Sequence, residues 1–380
     1  MGKSLENSAV AAIESPSAGE QAVRFSLNPH LRVVFTSNDE VLVKHSGRSP
    51  ISRIIRDDGR TKLLGAVLRN IKEHGTLDAL LASGAVPADK KTEAEDLVAY
   101  LVEEQVLVPA GQDVIQVFLG SILGGTQPVT DAVVGLVGAG YLGSRVAEEL
   151  ARLPVGELHL LDDRKVGKAA IDRRFFRVAP ERVEDDRPFA DLVADHLQTA
   201  GPTRVSRHIE SRRDRPALRE LFSQCQLMIL ASESLDSSLM HTVNEVALET
   251  GKPWLCLHID GSEAFIGPLF VPMESACYNE YQVQHEATCV GVKDEYLTYK
   301  EALDDPSLGF EHLTFPAYLE VAAGMAAVAA ARYLISGKSF LVGRSLRFDF
   351  DRLGVDTEEI LRLPRCPACA PYRPYRHAYL

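Results

Sequence analysis

Three closely spaced glycines follow a short apolar run and open a helical stretch, and this arrangement constrains the fold more than any other feature. The run from Val133 to Val137 is typical of a strand covered on both faces, and Gly138-Ala-Gly140-Tyr141-Leu142-Gly143 comes directly after it. Helical spacing from Ser144 to Leu153 and a second strand that ends before Asp162 complete a β-α-β unit. The pattern predicts nucleotide binding.

The chemistry behind this prediction is simple. Glycines let the main chain approach phosphates, a helix N-terminus offers free N–H groups, and a carboxylate at the next strand end accepts hydrogen bonds from ribose. Asp162 and Asp163 are both candidates, and because successive side chains of a strand alternate, we expect Asp162 to meet the ribose. Two alternatives stay open from these residues: a nicotinamide dinucleotide in place of ATP, and tight strand–helix packing without any ligand.

The chain is long enough for two folded units. Residues 1–22 are expected to be a disordered tail. In residues 23–110 the apolar positions first alternate as in strands, then form two stripes at helical spacing, and end in a closing strand. This order predicts a small α+β domain of winged-helix character. Residues 111–128 are rich in glycine and predict a linker with one helix. Residues 129–380 alternate apolar runs with helical stretches, which predicts a Rossmann-like wound α/β sheet.

Composition excludes several classes of protein. The formal net charge of -12 argues against a nucleic-acid partner, which needs a basic face. The N-terminus lacks a secretory pattern, and no apolar run reaches the length of a membrane span, so we expect no membrane association. Six cysteines in a chain of this size favour a reducing compartment. The cytoplasm is the expected location.

Beyond the glycine loop, the sequence resembles the ThiF, MoeB and ubiquitin-activating-enzyme superfamily. Val134 to Ser144 and the stretch Leu-Leu-Asp-Asp-Arg-Lys-Val from Leu160 carry the resemblance, which extends to the C-terminus. It implies ATP and Mg²⁺ as ligands. It places Arg173 at the family's arginine for the ATP phosphates and Glu233 at the acid that binds magnesium. The family's phosphate-contacting lysine falls on Arg187 in one register and on Phe189 in another.

Three further stretches resemble family members that modify ribosomally made peptides, namely microcin C and pantocin maturation enzymes and the proteins that partner YcaO-type cyclodehydratases. Ile266-Gly-Pro-Leu-Phe-Val-Pro, Leu363-Pro-Arg-Cys-Pro-Ala-Cys and the pattern of the N-terminal domain carry this likeness. It implies a homodimer that binds a precursor peptide as an added strand and adenylates a carboxylate or amide on it. The alternative is a scaffold that binds the leader and presents the peptide to a YcaO-type enzyme.

The cysteines indicate either a structural zinc site or a reduced C-terminal turn shaped by Pro367. Cys366-Pro-Ala-Cys369 supplies two thiols, and Cys277 stands where the resembling proteins begin a second pair. The second member of that pair is Glu280, so the fourth ligand is open among Glu280, Cys289 and His285. The surrounding stretch from Tyr278 to Gly309 has little periodicity and predicts either a mobile loop over the active site or a disordered segment.

Overall fold

A computed structural model describes residues 23–125, 127–166, 187–199, 201–289, 291–303 and 314–373. The chain divides into two compact units between Ile122 and Leu123. The helix that ends the first unit, Val114–Ser121, lies inside the stretch for which the sequence predicts a linker with one helix. Each unit has its own buried core.

Within the described residues, the N-terminal unit combines a small antiparallel sheet with four α-helices and a separate strand pair. Apolar residues that alternate along the strands and recur at helical spacing meet in one core around Val41, Leu64 and Leu101, as period-two and period-3.6 patterns require. Strand order in the sheet is β2-β3-β4, and β1 pairs with β5. The elements are β1 (Phe25–Leu27), β2 (Arg32–Phe35), β3 (Glu40–Lys44), β4 (Ser52–Arg56), α1 (Leu63–His74), α2 (Leu77–Ala82), α3 (Lys91–Glu103), β5 (Leu107–Pro109) and α4 (Val114–Ser121).

One apolar row stays on the outer face of this small sheet. Val34 of β2 is paired with Leu42 of β3, which is paired with Ile54 of β4. Val34 is 49% exposed and Ile54 is 55% exposed. The outer face of the sheet therefore carries an apolar row that is exposed on the two edge strands and half-buried at Leu42 in the centre.

The C-terminal unit is built on eight strands in the order β13-β12-β11-β10-β9-β6-β7-β8. Five neighbouring strands are parallel, namely β8, β7, β6, β9 and β10. The remaining strands, β11, β12 and β13, extend the sheet in antiparallel order. This confirms the predicted wound α/β fold. The strands are β6 (Val133–Val137), β7 (Glu157–Leu161), β8 (Arg204–His208), β9 (Leu227–Ser232), β10 (Trp254–Asp260), β11 (Glu263–Phe270), β12 (Arg344–Asp349) and β13 (Gly354–Glu359).

Chain order around β6 creates the point at which a ligand can enter the sheet. From β6 the chain moves outward to β7 and β8, and then returns to place β9 on the other side of β6. Connections leaving the carboxyl ends of β6 and β9 thus diverge, and such a crevice is where open α/β sheets bind ligands. The helices are α5 (Tyr141–Arg152), α6 (Phe189–Gln198), α7 (Arg215–Gln224), α8 (Ser237–Thr250), α9 (Tyr278–Thr288), α10 (Lys293–Leu303) and α11 (Pro316–Ser336).

The loop or disordered segment predicted from Tyr278 to Gly309 is wrong as far as Leu303, because α9 and α10 lie there, and residues 304–309 lie outside the described residues. The buried residues of α9 are Tyr278, Glu280 and Tyr281, whereas its other side carries polar residues that bind the main chain. Gln284, for example, donates to the carbonyl of Leu361 and accepts from its N–H. A narrow aromatic face gives little helical periodicity, so the sequence pattern missed both helices.

Helix α11 is long and apolar enough by length and composition to cross a bilayer, and half of its most apolar window is buried inside the fold. It packs against α5 and the sheet. Near its start Glu320 accepts a hydrogen bond from the buried guanidinium of Arg145 on α5, at 2.8 Å. These contacts are those of a core helix.

Candidate nucleotide site

Two glycines of the loop after β6 are required by packing alone. Gly138 has φ +92°, and a Cβ there would lie 2.2 Å from the carbonyl oxygen of Ala231 on β9. A Cβ on Gly143 would lie 1.8 Å from the carbonyl oxygen of Gly138. Neither neighbour is a movable side chain, so the sharp turn from β6 into α5 needs glycine at both positions.

Gly140 has a different surrounding, since charged side chains lie over it. A Cβ on Gly140 would lie 2.6 Å from Oε1 of Glu233 and 2.8 Å from Nη2 of Arg164. Gly140 is also the N-cap of α5, which begins at Tyr141. The absent side chain leaves a space above the helix N-terminus, and the chain's own charged groups fill it.

Asp162 follows β7 and is fully buried. Its Oδ2 accepts from the Ala139 N–H at 2.7 Å. The Arg164 guanidinium donates to both carboxylate oxygens, from Nε to Oδ1 at 3.1 Å and from Nη2 to Oδ2 at 2.8 Å. Burial by itself would raise the pKa of Asp162, but the charge of Arg164, assisted by Arg212, holds that pKa below its ordinary value.

Asp163 lies nearer the surface than Asp162, although both acids contact Arg212. Its side chain is 38% exposed and pairs with Nε of Arg212 at 3.2 Å. The structure therefore separates the two adjacent acids, with Asp162 inside beside the glycine loop and Asp163 at the surface, in agreement with alternation along a strand end.

Glu233 follows β9 and reaches the start of α5. It is 8% exposed. Its Oε1 accepts from the Leu142 N–H at 2.9 Å, and its Oε2 accepts from Nη1 of Arg164 at 3.0 Å. A carboxylate at this place gains from the positive end of the helix dipole as well as from the hydrogen bond.

Arg164 joins the two acids, and sequence reasoning missed it. Burial would lower the pKa of its guanidinium, but Glu233 and Asp162 outweigh burial and raise it, so the charge is permanent. Its guanidinium carbon lies 5.5 Å from the ring centroid of Phe189. The signal in the sequence is that Arg164 lies two residues after Asp162, the acid that follows β7.

Arg187, one of the two arginines predicted to contact phosphate, pairs with an acid outside the group formed by Asp162, Arg164 and Glu233. Arg187 precedes α6 and pairs with Asp195 of that helix, from Nη2 to Oδ2 at 2.6 Å. Arg207 of β8 pairs with the same carboxylate. Phe189, the residue of the other register, packs instead beside Tyr141, with ring centroids 6.0 Å apart. Arg173 lies outside the described residues.

Three cysteines and one glutamate form a second, buried cluster. One ligand atom each from Cys277, Glu280, Cys366 and Cys369 lies within 4.8 Å of all the others. The sulfurs of Cys277 and Cys366 are 3.6 Å apart, close to the separation that Zn–S bonds of about 2.3 Å impose in a tetrahedron. The hydrogen bond from Cys277, with a smaller contribution from Arg373, lowers the pKa of Cys369, so a thiolate is available to a metal. The donor set fits zinc.

Glu280, rather than Cys289 or His285, stands at the fourth corner of this cluster. It is fully buried and its Oε1 accepts from the Leu363 N–H at 2.6 Å and from Nη2 of Arg373 at 2.7 Å. The same Nη2 lies 3.0 Å from the sulfur of Cys369. Arg373 thus offsets part of the negative charge that the thiolates and the carboxylate bring together.

Known proteins show a consistent likeness. The sequence profile of the ThiF family matches residues 119–368. The comparison with curated protein sequences gives no match. The structure of E. coli MccB with ATP is similar, with a TM-score of 0.61 and 17% identity over 91% of this chain and 99% of MccB.

Two further solved structures extend this likeness. Microcin C7 biosynthetic enzyme MccB in complex with N-formylated MccA gives a TM-score of 0.63 and 17% identity over 91% of this chain and 99% of that chain. PaaA gives 0.56 and 21% identity over 71% of this chain and 92% of that chain. At these identities the likeness concerns the fold.

Proposed function

Because the chain belongs to the ThiF family, we propose that it binds a ribosomally made precursor peptide and uses Mg-ATP to adenylate a carboxylate or amide oxygen on that peptide. The observation that carries the proposal is the glycine loop at the crevice between β6 and β9, with buried Asp162 beside it. MccB, which has the same fold, is solved both with ATP and with the peptide MccA.

In this proposal the adenosine end of ATP lies toward Asp162 and the phosphates lie over Gly140 and the start of α5. A peptide oxygen attacks the α-phosphorus, a new P–O bond forms, and the bond to the bridging oxygen breaks so that pyrophosphate leaves. In the proposal the main-chain N–H of Leu142, which the structure pairs with Glu233, donates to a phosphate oxygen instead, and preorganised donors of this type stabilise developing negative charge. Mg²⁺, for which Glu233 offers oxygen ligands, would offset phosphate charge when bound.

The test uses the purified chain, its cognate precursor peptide and ATP labelled in the α-phosphate, with no other protein present. The proposal expects pyrophosphate to leave and the labelled AMP group to appear on the peptide, or as free AMP once a nucleophile has consumed the adenylate, only when peptide and Mg²⁺ are both added. Failure to form pyrophosphate and either labelled product with a peptide that demonstrably binds would contradict adenylation. The dinucleotide alternative is checked in parallel, since it requires NAD(P) to bind more tightly than ATP.

A second candidate function has one observation in its favour. Glu233 and Arg164 fill the space over Gly140, and Arg187 is paired with Asp195, so the chain's own groups satisfy the charges that a nucleotide would need. This favours a scaffold that binds the leader and presents the peptide to a YcaO-type enzyme. If the chain is a scaffold, we expect it to bind the peptide without ATP, to release no AMP, and to speed turnover by the partner enzyme when it is added.

We place the peptide on the small sheet of the N-terminal unit. An added strand at β2 or β4 extends the ladder through main-chain hydrogen bonds and lays alternate side chains beside the apolar row of Val34, Leu42 and Ile54. The homodimer expected from the resemblance has a candidate face on α11, where Val321 and Val328 are 39% and 55% exposed. The mass of the chain in solution tests that face.

Replacing Ile54 by aspartate is expected to weaken peptide binding by at least tenfold, which corresponds to about 1.4 kcal/mol. The substitution puts a charge into the apolar row that the peptide would cover. Because Ile54 is 55% exposed, the fold is expected to tolerate the change. Fluorescence anisotropy with a labelled precursor measures the effect. Val114→Asp, at a 52% exposed valine of α4 in the same unit, is the matched control. Equal losses in both variants would remove the small sheet as the peptide site.

We also propose that Cys277, Cys366, Cys369 and Glu280 hold a structural zinc. The chain is expected to purify with one zinc per protomer, and Cys366→Ser is expected to remove it and lower the melting temperature, since metal binding free energy adds to folding free energy. Elemental analysis and thermal unfolding measure both. Cys289→Ser, outside the cluster, is expected to keep the zinc. A zinc-free wild type of full stability would contradict the proposal.

A further inference from the structure

A carboxylate of the chain itself occupies the place that the loop offers to a phosphate. The main chain of α5 begins at Tyr141, and the N–H of Leu142, in its first turn, donates to Oε1 of Glu233. The same Oε1 lies above Gly140, where a Cβ would come within 2.6 Å of it. Free N–H groups of a first helical turn are the groups that bind phosphate in glycine-loop proteins. Glu233 therefore competes with phosphate for the same donor.

Arg164 is attached to its two acids unequally. Two guanidinium nitrogens donate to Asp162, a geometry that fixes the plane of the group, whereas only Nη1 donates to Glu233. The side chain is 33% exposed, so its outer edge faces solvent, whereas Asp162 is fully buried. Arg164 can exchange the carboxylate of Glu233 for another anion without leaving Asp162.

The charges of the group also suit such an exchange. Arg164 carries one positive charge between two carboxylates, and Arg212 contributes a second at 3.5 Å from Oδ1 of Asp162 while it also pairs with Asp163. Turning Glu233 outward leaves a buried Leu142 N–H and one arm of Arg164 without an acceptor. An anionic oxygen restores both hydrogen bonds, and unmet donors in such a place cost more than ordinary ones.

We propose that Glu233 holds the phosphate position in the nucleotide-free chain and that Arg164 is the positioning residue that passes from Glu233 to a phosphate of the incoming nucleotide. The inference rests on the proposed nucleotide site and adds to it a residue and an exchange step. No covalent bond forms or breaks in this step. Glu233, once displaced, is free to present its oxygens to solvent or to a cation.

The exchange predicts a particular pattern of affinities. With Glu233→Gln the internal competitor loses its charge, so the affinity for ATP in EDTA is expected to rise about tenfold. The affinity for adenosine is expected to stay unchanged, because adenosine has no phosphate to compete with. With Arg164→Ala, ATP binding is expected to fall by at least tenfold. Arg164→Lys, which keeps the charge, covers the case in which the alanine variant fails to fold, and is expected to bind ATP more weakly than wild type.

Titration calorimetry on the full chain, with ATP and adenosine each in EDTA, measures these affinities. Asp236→Asn is the matched control, since Asp236 lies three residues from Glu233 but pairs with Arg213 and caps α8. It makes the same change of charge and keeps a good N-cap. Its affinity for ATP is expected to equal that of wild type.

The outcomes separate this inference from the proposed function. A Glu233→Gln variant whose affinity for ATP does not rise, or rises equally for adenosine, overturns the exchange even if the wild type adenylates the peptide. An Arg164→Lys variant with wild-type affinity overturns the role of Arg164. If the affinity of the Glu233→Gln variant rises for ATP but not for adenosine, and the chain does not adenylate the peptide, the exchange is supported and the adenylation proposal fails. Absence of ATP binding in every variant, with and without Mg²⁺, overturns both.

Discussion

Replacing Asp162 by asparagine is expected to lower the free energy of unfolding of the C-terminal unit by about 3–5 kcal/mol. The carboxylate is fully buried and accepts from the Ala139 N–H and from two nitrogens of Arg164. An amide restores at most part of this set and leaves the guanidinium facing an N–H₂ group. Urea unfolding followed by circular dichroism measures the change.

Asp163→Asn is the control for this experiment. Its carboxylate is adjacent in sequence but 38% exposed, and it pairs with Arg212, which is 15% exposed and keeps Asp162 as a partner in the variant. The expected loss is up to about 1 kcal/mol, as for pairs with an exposed member. Equal losses for the two variants would show that burial and the Arg164 pair do not control the stability of this strand end.

The effect of Asp162 also depends on pH in a defined direction. Its pKa in the folded chain lies below the unfolded value of about 3.9, so the folded state binds the proton less well than the unfolded state. The stabilisation is complete above the unfolded pKa and disappears as pH falls through the folded pKa. Asp162→Asn should therefore flatten this acid limb of the stability curve, whereas Asp163→Asn should keep it.

Replacing Gly143 by alanine is expected to cost about 3 kcal/mol or more. Its added Cβ would lie 1.8 Å from the carbonyl oxygen of Gly138, so only a shift of the main chain can relieve the contact. That shift moves the first turn of α5 and the Leu142 N–H with it, so nucleotide affinity should fall along with stability. Denaturant unfolding and ATP titration measure the two effects.

The control for Gly143 is Gly201→Ala in the same unit. Nothing lies within 4 Å of a Cβ at Gly201. Its stability is expected to stay within about 0.5 kcal/mol of wild type, as at most surface positions. A Gly143→Ala chain of unchanged stability would mean that the loop after β6 adopts another path in solution.

Much of the C-terminal unit could be predicted from the sequence because its signals are local. A continuous apolar run predicts β6, and three glycines followed by helical spacing predict the turn into α5. The burial of Asp162 follows from its place at a strand end. Each of these inferences needs only residues that are close along the chain.

The pairing of Arg164 with Glu233 could not be predicted, because the two residues are 69 positions apart and meet only when β9 is placed beside β6. The partner of Arg187 is also open in the sequence, because arginine chemistry suits a phosphate as well as an acid, and the structure pairs this residue with Asp195 of the helix that it precedes. Charge type is visible in a sequence, whereas the choice of partner depends on the packed structure.

The cysteine cluster shows both sides of this limit. Cys366-Pro-Ala-Cys369 is a local signal, and the structure brings Cys277 to it. Choosing Glu280 over His285 as the fourth group required knowing that α9 begins at Tyr278, so that Glu280 turns back toward the N-terminus of its own helix. The expected loop concealed that geometry.

The position of β6 between β7 and β9 also governs how the chain is made. A ribosome releases β6 and β7 long before β9, and Val133 finds its partner Gln226 only after 93 more residues have emerged. Until then one edge of this apolar strand is open to other chains, which is the situation that chaperones relieve. The N-terminal unit needs only the first 122 residues and can fold in advance of this step. Synthesis at low temperature or with added chaperones should therefore raise the yield of intact protein chiefly through its second unit.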